Sequence, residues 1–249
     1  MGLTNPSQAL ALAKLIKNLE IYNLWNKMIA IYPFVGSDAA TQSWNLKDLR
    51  TTSDAYYLQF GSVIAGGWSH TTAGAKPNPT SASFCDTQII PSTHLTNNNL
   101  HVSIYTLENQ TGTVGFGAYD DGGNKNLSFN LNNSSNNRTE VTAKTTTASW
   151  FNLGNTRGLL TLNNTAVNNL AGFQNQTKKN TNINSDGGTL PTTNFYLGAL
   201  NTDNSAGGTT NHTSATIAFA SIGYGLTDSD VRYLYSTVQE YQTLLNRAV

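Results

Sequence analysis

The sequence predicts an all-β fold: a jelly-roll sandwich of two antiparallel sheets with a helix at each end. Three observations predict it. From about residue 44, apolar and polar residues alternate with period two in many short runs. Turn-forming stretches separate the runs: DDGGN at 120–124, NNSSNN at 132–137, SDGG at 185–188 and NSAGG at 204–208. The strand–helix rhythm of a parallel sheet is missing, which leaves a sandwich or jelly roll as the architecture. Three segments follow from this: an N-terminal helical segment over 1–32, the sandwich over 33–226 and a C-terminal helix over 227–249 packed on it.

The first helix has a readable start. Asn5 can cap, Pro6 suits the first helical position, and Gln8 is spaced to reach back to the cap. Leu12, Ile16, Leu19 and Tyr22 then share one face, and the helix is expected to stop before Pro33. Such a stripe packs on the domain or joins neighbouring subunits. The expected strands are 55–61, 83–89, 100–107, 113–120, 126–131, 139–145, 158–163, 194–201 and 214–225. Leu100, Val102 and Ile104, and again Leu127, Phe129 and Leu131, alternate cleanly. The last helix begins at Thr227, a good cap, with Asp228 and Asp230 favourable to the helix dipole in its first turn. Leu226 and Val231 are placed as a hydrophobic staple. Val231, Leu234, Tyr235, Val238, Tyr241 and Leu245 form its apolar stripe. So short a link from the last strand predicts that this helix folds back onto the sandwich edge or stands beside it.

Composition narrows the function. The 249 residues carry zero net charge and only 11% charged side chains. Without a Lys/Arg cluster there is no electrostatic footprint for nucleic acid, and no polybasic arm for a membrane surface. No apolar run is long enough to span a bilayer, and Lys14, Lys17 and Glu20 interrupt the N-terminal stretch that a secretory leader would need. The single cysteine, Cys85, excludes an intrachain disulfide and reads as a half-buried packing residue. Sequons at Asn109, Asn137 and Asn211 are what an Asn- and Thr-rich chain produces without selection.

Several stretches carry a resemblance. The closing IGYGLTD (222–228) runs into a helix containing LY, YQ and a late Arg-x-Val. With it go IAIYPFVGSDAATQSWNLKDLR (29–50), GGWSHTTAGAKPN (66–78), FCDTQIIPSTHLTNNNLHVSIYT (84–106) and FYLGALN (195–201). Together they resemble concanavalin A-like, laminin G-like jelly-roll domains of bacteriophage and related virion proteins. The resemblance covers most of the chain after about residue 22. It implies a protein of the virion surface (fibre, spike, tail or capsid decoration), made in the host cytoplasm. It also implies other virion proteins as partners, a host-surface glycan as ligand, and a symmetric oligomer, with a trimer expected from that context.

Folds of this type also house polysaccharide hydrolases, which need two carboxylates flanking the scissile bond. Glu108 and Glu140 are the only glutamates between 33 and 226, and no Glu-x-Asp-x-x-Glu occurs. A nucleophile elbow is absent, and His70, His94, His101 and His212 lack zinc spacing. The expectation is a protein that is not an enzyme. Tyr119-Asp120-Asp121-Gly122-Gly123-Asn124 could begin a calcium loop, but Asp-Gly is first of all a hairpin signal. Sugar sites combine exposed aromatic faces with amides and carboxylates. The candidates are Trp68, His70, Tyr105, Tyr119, Trp150 and Tyr196 as platforms, and Asn78, Asp120, Asp121 and Asn124 as polar partners. Trp68 and His70, in a Gly-rich stretch read as a loop, are the least core-like. The competing reading is a purely structural decoration that binds no sugar.

Overall fold

The computed structural model describes residues 5–110, 114–120, 125–133, 138–143, 148–151, 156–182, 188–202, 209–210 and 212–249. Within these the chain forms two sheets. The strands up to the middle of the chain are β1 (Met28–Tyr32), β2 (Gln59–Ser62), β3 (Trp68–Thr71), β4 (Gly74–Pro77), β5 (Ser83–Asp86), β6 (Leu100–Thr106), β7 (Val114–Asp120) and β8 (Lys125–Asn133). Then come β9 (Arg138–Ala143), β10 (Ala148–Phe151), β11 (Gly158–Asn164), β12 (Leu170–Gln174), β13 (Thr177–Asn182), β14 (Tyr196–Leu197), β15 (Leu200–Thr202), β16 (Thr209–Thr210) and β17 (Ile217–Gly223). The helices are α1 (Pro6–Ile21), the single turns α2 (Ala39–Gln42) and α3 (Pro91–His94), and α4 (Asp228–Leu244).

The first sheet runs β13-β12-β11-β6-β17-β4-β3, with β1 also on β17. The second runs β10-β9-β8-β7-β14-β5-β2, with β15 beside β7 and β16 on β15. Every pairing is antiparallel except β15 with β7. The core between the sheets takes Val102, Ile104, Leu160, Leu162, Ile217, Ala220 and Ile222 from the first sheet. From the second it takes Cys85, Phe116, Leu127, Phe129, Leu131 and Leu197. Cys85 is fully rather than half buried, and that burial pushes its thiol well up.

A second core lies on the opposite face of the first sheet. There α1 and α4 roof Tyr105, Leu159, Phe173, Ala218 and Phe219 with Leu15, Leu19, Val231, Leu234, Val238 and Tyr241. The C-terminal helix thus covers a sheet face, not an edge. A bulge in β17 makes this possible. Two residues there oppose one on β6, so Ala218 and Phe219 both turn to the helices while Ile217 and Ala220 face inward.

Both helix starts form as the sequence predicts. Asn5 accepts from the Ser7 and Gln8 amides, and Thr227 and Asp230 make a capping box. Gln8 departs from expectation: its amide oxygen accepts from Gly36 N at 3.2 Å. The buried stripe of α1 is Ala11, Leu15 and Leu19, and Tyr22 instead stacks on Tyr233 with ring centroids 4.4 Å apart. α1 stops before Pro33 as expected, but so early that the helical segment does not fill 1–32. It caps at Tyr22, Asn23 takes φ 56°, and Met28–Tyr32 becomes a strand on β17. A left-handed Asn stops a helix because its carbonyls can no longer align.

Candidate functional site

The β3–β4 hairpin forms the edge of the first sheet. It is tied to that sheet at one register pair, Ile217 with Ala75. Trp68 starts it and crosses the gap to the second sheet, donating its indole N–H to Gly61 O at 3.1 Å and Phe84 O at 3.0 Å. The ring packs edge-on to Phe60 at 5.0 Å. Against it lies Gly198, where a Cβ would come 2.8 Å from Trp68 Cη2 and where φ is +86°. Glycine is needed there on both counts. Trp68 and His70 therefore sit on an edge strand, not in a loop.

Outside this hairpin lies a groove of about 330 Å³, lined by Trp68, Ser69, Lys76, Pro77, Asn78 and Ser214, with Gly66 and Pro79 at its margin. Its chemistry is mixed: one indole, two pyrrolidine rings, hydroxyls, an amide and one ammonium. Asn78 caps the short turn after it, its Oδ1 accepting from Thr80 N at 3.1 Å and Thr80 Oγ1 at 2.7 Å. Lys76 Nζ donates to Glu108 Oε1 at 2.9 Å. An ammonium has three donors, so this pair leaves it capacity for a ligand.

Glu108 is held from several sides. It accepts from Thr216 N at 2.6 Å and Thr216 Oγ1 at 2.8 Å as well as from Lys76. Partial burial pushes its carboxyl up, but these donors outweigh that and leave it below the ordinary range. A glycosidic acid needs the reverse, a raised pKa. Glu140 lies on β9, and its side chain is outside the described residues.

His70 stands near the groove, stacked 6.5 Å from Trp68, with Nδ1 2.8 Å from Gln42 Oε1. Partial burial pulls its pKa down. Tyr196 is almost wholly buried on the far side of Phe84, stacked on that ring at 4.8 Å. Desolvation, with Asp86 nearby, pushes its hydroxyl up to about 12. Tyr105 is fully buried beneath α4, with its hydroxyl donating to Gln239 Oε1 at 2.9 Å and accepting from Val249 N at 3.0 Å. A ring roofed by a helix presents no face to a sugar, so Tyr105 leaves the candidate set.

Asp120 ends β7, opposite Lys125. Its carboxylate accepts from Thr192 N at 2.8 Å, Thr192 Oγ1 at 2.9 Å and Thr193 N at 3.2 Å. Burial pushes this group up, and the donors bring it below its ordinary value. Asp120 thus pins the 192–193 turn, which accounts for its burial without a cation. Tyr119 is half-buried beside it. Asp121, Asn124 and the Trp150 side chain lie outside the described residues. Among the described residues, no three of His, Cys, Asp and Glu gather as metal ligands. Likewise, no described helix is long and apolar enough to cross a membrane.

The structure thus brings Trp68 and Asn78 together in one groove, places His70 beside them, and sets Tyr105, Tyr119, Asp120 and Tyr196 elsewhere. Lys76, Ser69 and Ser214 join the groove without having been foreseen. Ser214 comes from just before β17, and only tertiary folding brings it there.

No protein-family profile matches the chain, and no curated protein matches it. Solved structures do match in fold. Domain 4 of AbnA, an extracellular GH43 arabinanase from Geobacillus stearothermophilus, solved in complex with arabinotriose, is 16% identical at a TM-score of 0.52, covering 84% of this chain and 98% of that one. An HCR/D mutant is 11% identical at 0.52, covering 85% of this chain and 51% of that one. The botulinum neurotoxin serotype G binding domain is 11% identical at 0.49, covering 84% and 50%. At such identities the first two share a β-sandwich fold with this chain, and the likeness extends to the fold alone.

Proposed function

We propose that the chain is a non-catalytic carbohydrate-binding domain whose saccharide site is the groove beside Trp68. The observation that carries this reading is the groove itself: an open trough with an indole wall, flanking prolines, and hydroxyl, amide and ammonium donors. Sugars present apolar C–H faces and rings of hydroxyls, and such a wall and rim suit both. AbnA domain 4, which was solved with arabinotriose, shares the sandwich, and this supports the reading by analogy. Glu108 is committed to Thr216 and Lys76, which favours binding over hydrolysis. The resemblance of the sequence to virion jelly rolls sets the biological frame: host-surface glycan attachment from a phage particle. Many copies on one particle would turn a weak site into firm attachment.

A glycan array that includes bacterial surface polysaccharides and arabino-oligosaccharides tests the reading, run with and without calcium. Specific hits are expected. Ser214→Trp, which fills the groove from an exposed position, should abolish them while leaving the thermal midpoint unchanged. Trp68→Ala should abolish them too, at some cost in stability because its indole bonds join the sheets. Hits that survive Ser214→Trp would move the site elsewhere. A silent array would favour the structural-decoration reading.

A further inference from the structure

We infer that Arg247 is a positioning residue for the groove: the C-terminal tail straps down the tip of the β3–β4 hairpin, whose other end lines the site. This rests on the groove reading for its functional meaning, though not for its geometry. The hairpin is weakly held by its own sheet, with the one register pair at Ala75. A two-stranded ribbon attached so sparingly is marginal by itself. Its tip is anchored from outside instead. Gln42 Nε2 donates to Thr71 O at 2.8 Å, and Arg247 Nη1 reaches Thr72 O at 3.4 Å and Ala73 O at 3.3 Å.

Arg247 is an unusual group to find there. It is only 6% exposed, yet no ion pair among the described residues neutralises it. Its donors go almost wholly to backbone carbonyls. Nη1 also donates to Phe34 O at 2.9 Å, and Nη2 donates to Pro33 O at 3.1 Å and Ala218 O at 3.0 Å. Nε donates to Gln242 Oε1 at 2.6 Å, and the guanidinium lies 5.3 Å from the Tyr241 ring centroid. A buried cation is costly unless every donor is met, and here three separate segments meet them. They are residues 33–34 after β1, the 72–73 hairpin tip, and Ala218 in the β17 bulge. Lysine could not do this, because one ammonium lacks the planar fork that reaches three segments at once.

α4 does not need the bond to stay in place, since Val231, Leu234, Val238 and Tyr241 already bury its stripe. The distinct product of Arg247 is the fixed hairpin tip. From there the two strands run to Trp68 and Ser69 on one side and to Lys76 and Pro77 on the other, all four in the groove.

Hydrogen exchange with the full chain tests this without any ligand. Arg247→Met should speed exchange of the 69–76 amides by about tenfold or more, leaving α4 and β6 within about twofold. Arg247→Lys should not restore protection. In the unmodified protein, amides at 72–76 and at 247–249 should open as one unit as denaturant is raised, which keeps the test valid if the variants fold poorly. Separate openings, or a loss of protection spread evenly over α4 and β17, would overturn the strap. On any glycan that binds the unmodified chain, Arg247→Met should weaken affinity about tenfold. Unchanged affinity with a loosened hairpin would overturn the positioning role. A chain that binds no glycan would remove the groove reading and leave the exchange result standing.

Discussion

The outer faces of the two sheets are built from similar strands but meet different surroundings. On the first sheet, α1 and α4 lie over the strands, and β6, β11 and β17 are buried at every residue. On the second, β5 alternates buried and half-buried, and β2 is exposed to half-buried throughout. The side chains follow. His101, Ser103 and Tyr105 point to the helices and are all buried, and Ser103 pairs with Thr161 at 2.8 Å because water cannot serve it. On the second sheet Phe84 lies half-buried over Gly61 of the neighbouring strand, where a Cβ would come 2.7 Å from the ring. Covering a face thus turns polar strand positions into a hydrogen-bonding obligation. On the second sheet, β2 and β5 instead keep side chains partly open to solvent.

The largest effect should come from a deletion beneath the helices. Phe219→Ala removes a fully buried ring between the first sheet and the helices. It should cost about 3–5 kcal/mol, read as a drop in the urea midpoint at unchanged slope. A loss near 1 kcal/mol would mean that the helix layer packs loosely and the two faces differ less than their burial says.

The second test uses pH. His101 is wholly buried under the β17–α4 junction. Nδ1 donates to Tyr224 O at 2.6 Å, and Ser221 Oγ lies 3.3 Å from Nε2. Burial pulls its pKa down to about 4; the Tyr224 carbonyl and Asp230 oppose this, and Lys27 assists it. The unfolded chain, titrating near 6.5, therefore binds more protons than the folded one between about pH 4 and 6.5. The contribution is complete above about pH 6.5 and is lost as pH falls toward 4, in total on the order of 3 kcal/mol. His101→Asn should flatten this part of the stability profile measured by denaturant unfolding at pH 7 and 4.5. A profile parallel to that of the unmodified protein would show that His101 takes up its proton as readily in the fold as in the unfolded chain.

The helix layer also marks where the sequence could be read and where it could not. The caps at Asn5 and Thr227 and the stripe of α4 were legible because they are local: each needs only residues within a turn or two. Strands β6, β7, β8 and β17 were legible from their apolar alternation. The burial of both faces of β6 was not legible, however, since nothing in HVSIYT says that a helix over a hundred residues later covers its second face. β1 was hidden because MIAIY follows a helix and is equally apolar, and the stop at Asn23 depends on one left-handed residue. β13, TKKNTN, reads as loop; it is an edge strand on which Lys178 and Lys179 discourage further pairing. In the groove, Trp68 and Asn78 were legible as an aromatic and an amide in a glycine-rich stretch. Ser214 and the Arg247 strap were not, because their partners are distant in sequence and meet only in the fold.

The smallest effect should come from the matching deletion on the second sheet. Phe84 stacks on Tyr196 at 4.8 Å and 13° between planes, and it is half-buried. Phe84→Ala loses that stack and part of a ring's burial, about 1–2 kcal/mol, below the cost at Phe219. It leaves the backbone acceptor of the Trp68 indole in place, because that bond goes to Phe84 O. Saccharide binding in the groove should therefore persist in Phe84→Ala, with unfolding by urea shifted only slightly. If instead Phe84→Ala proved as costly as Phe219→Ala, the ring would be carrying packing from above that face. The second sheet would then be roofed as the first is, by something other than helices.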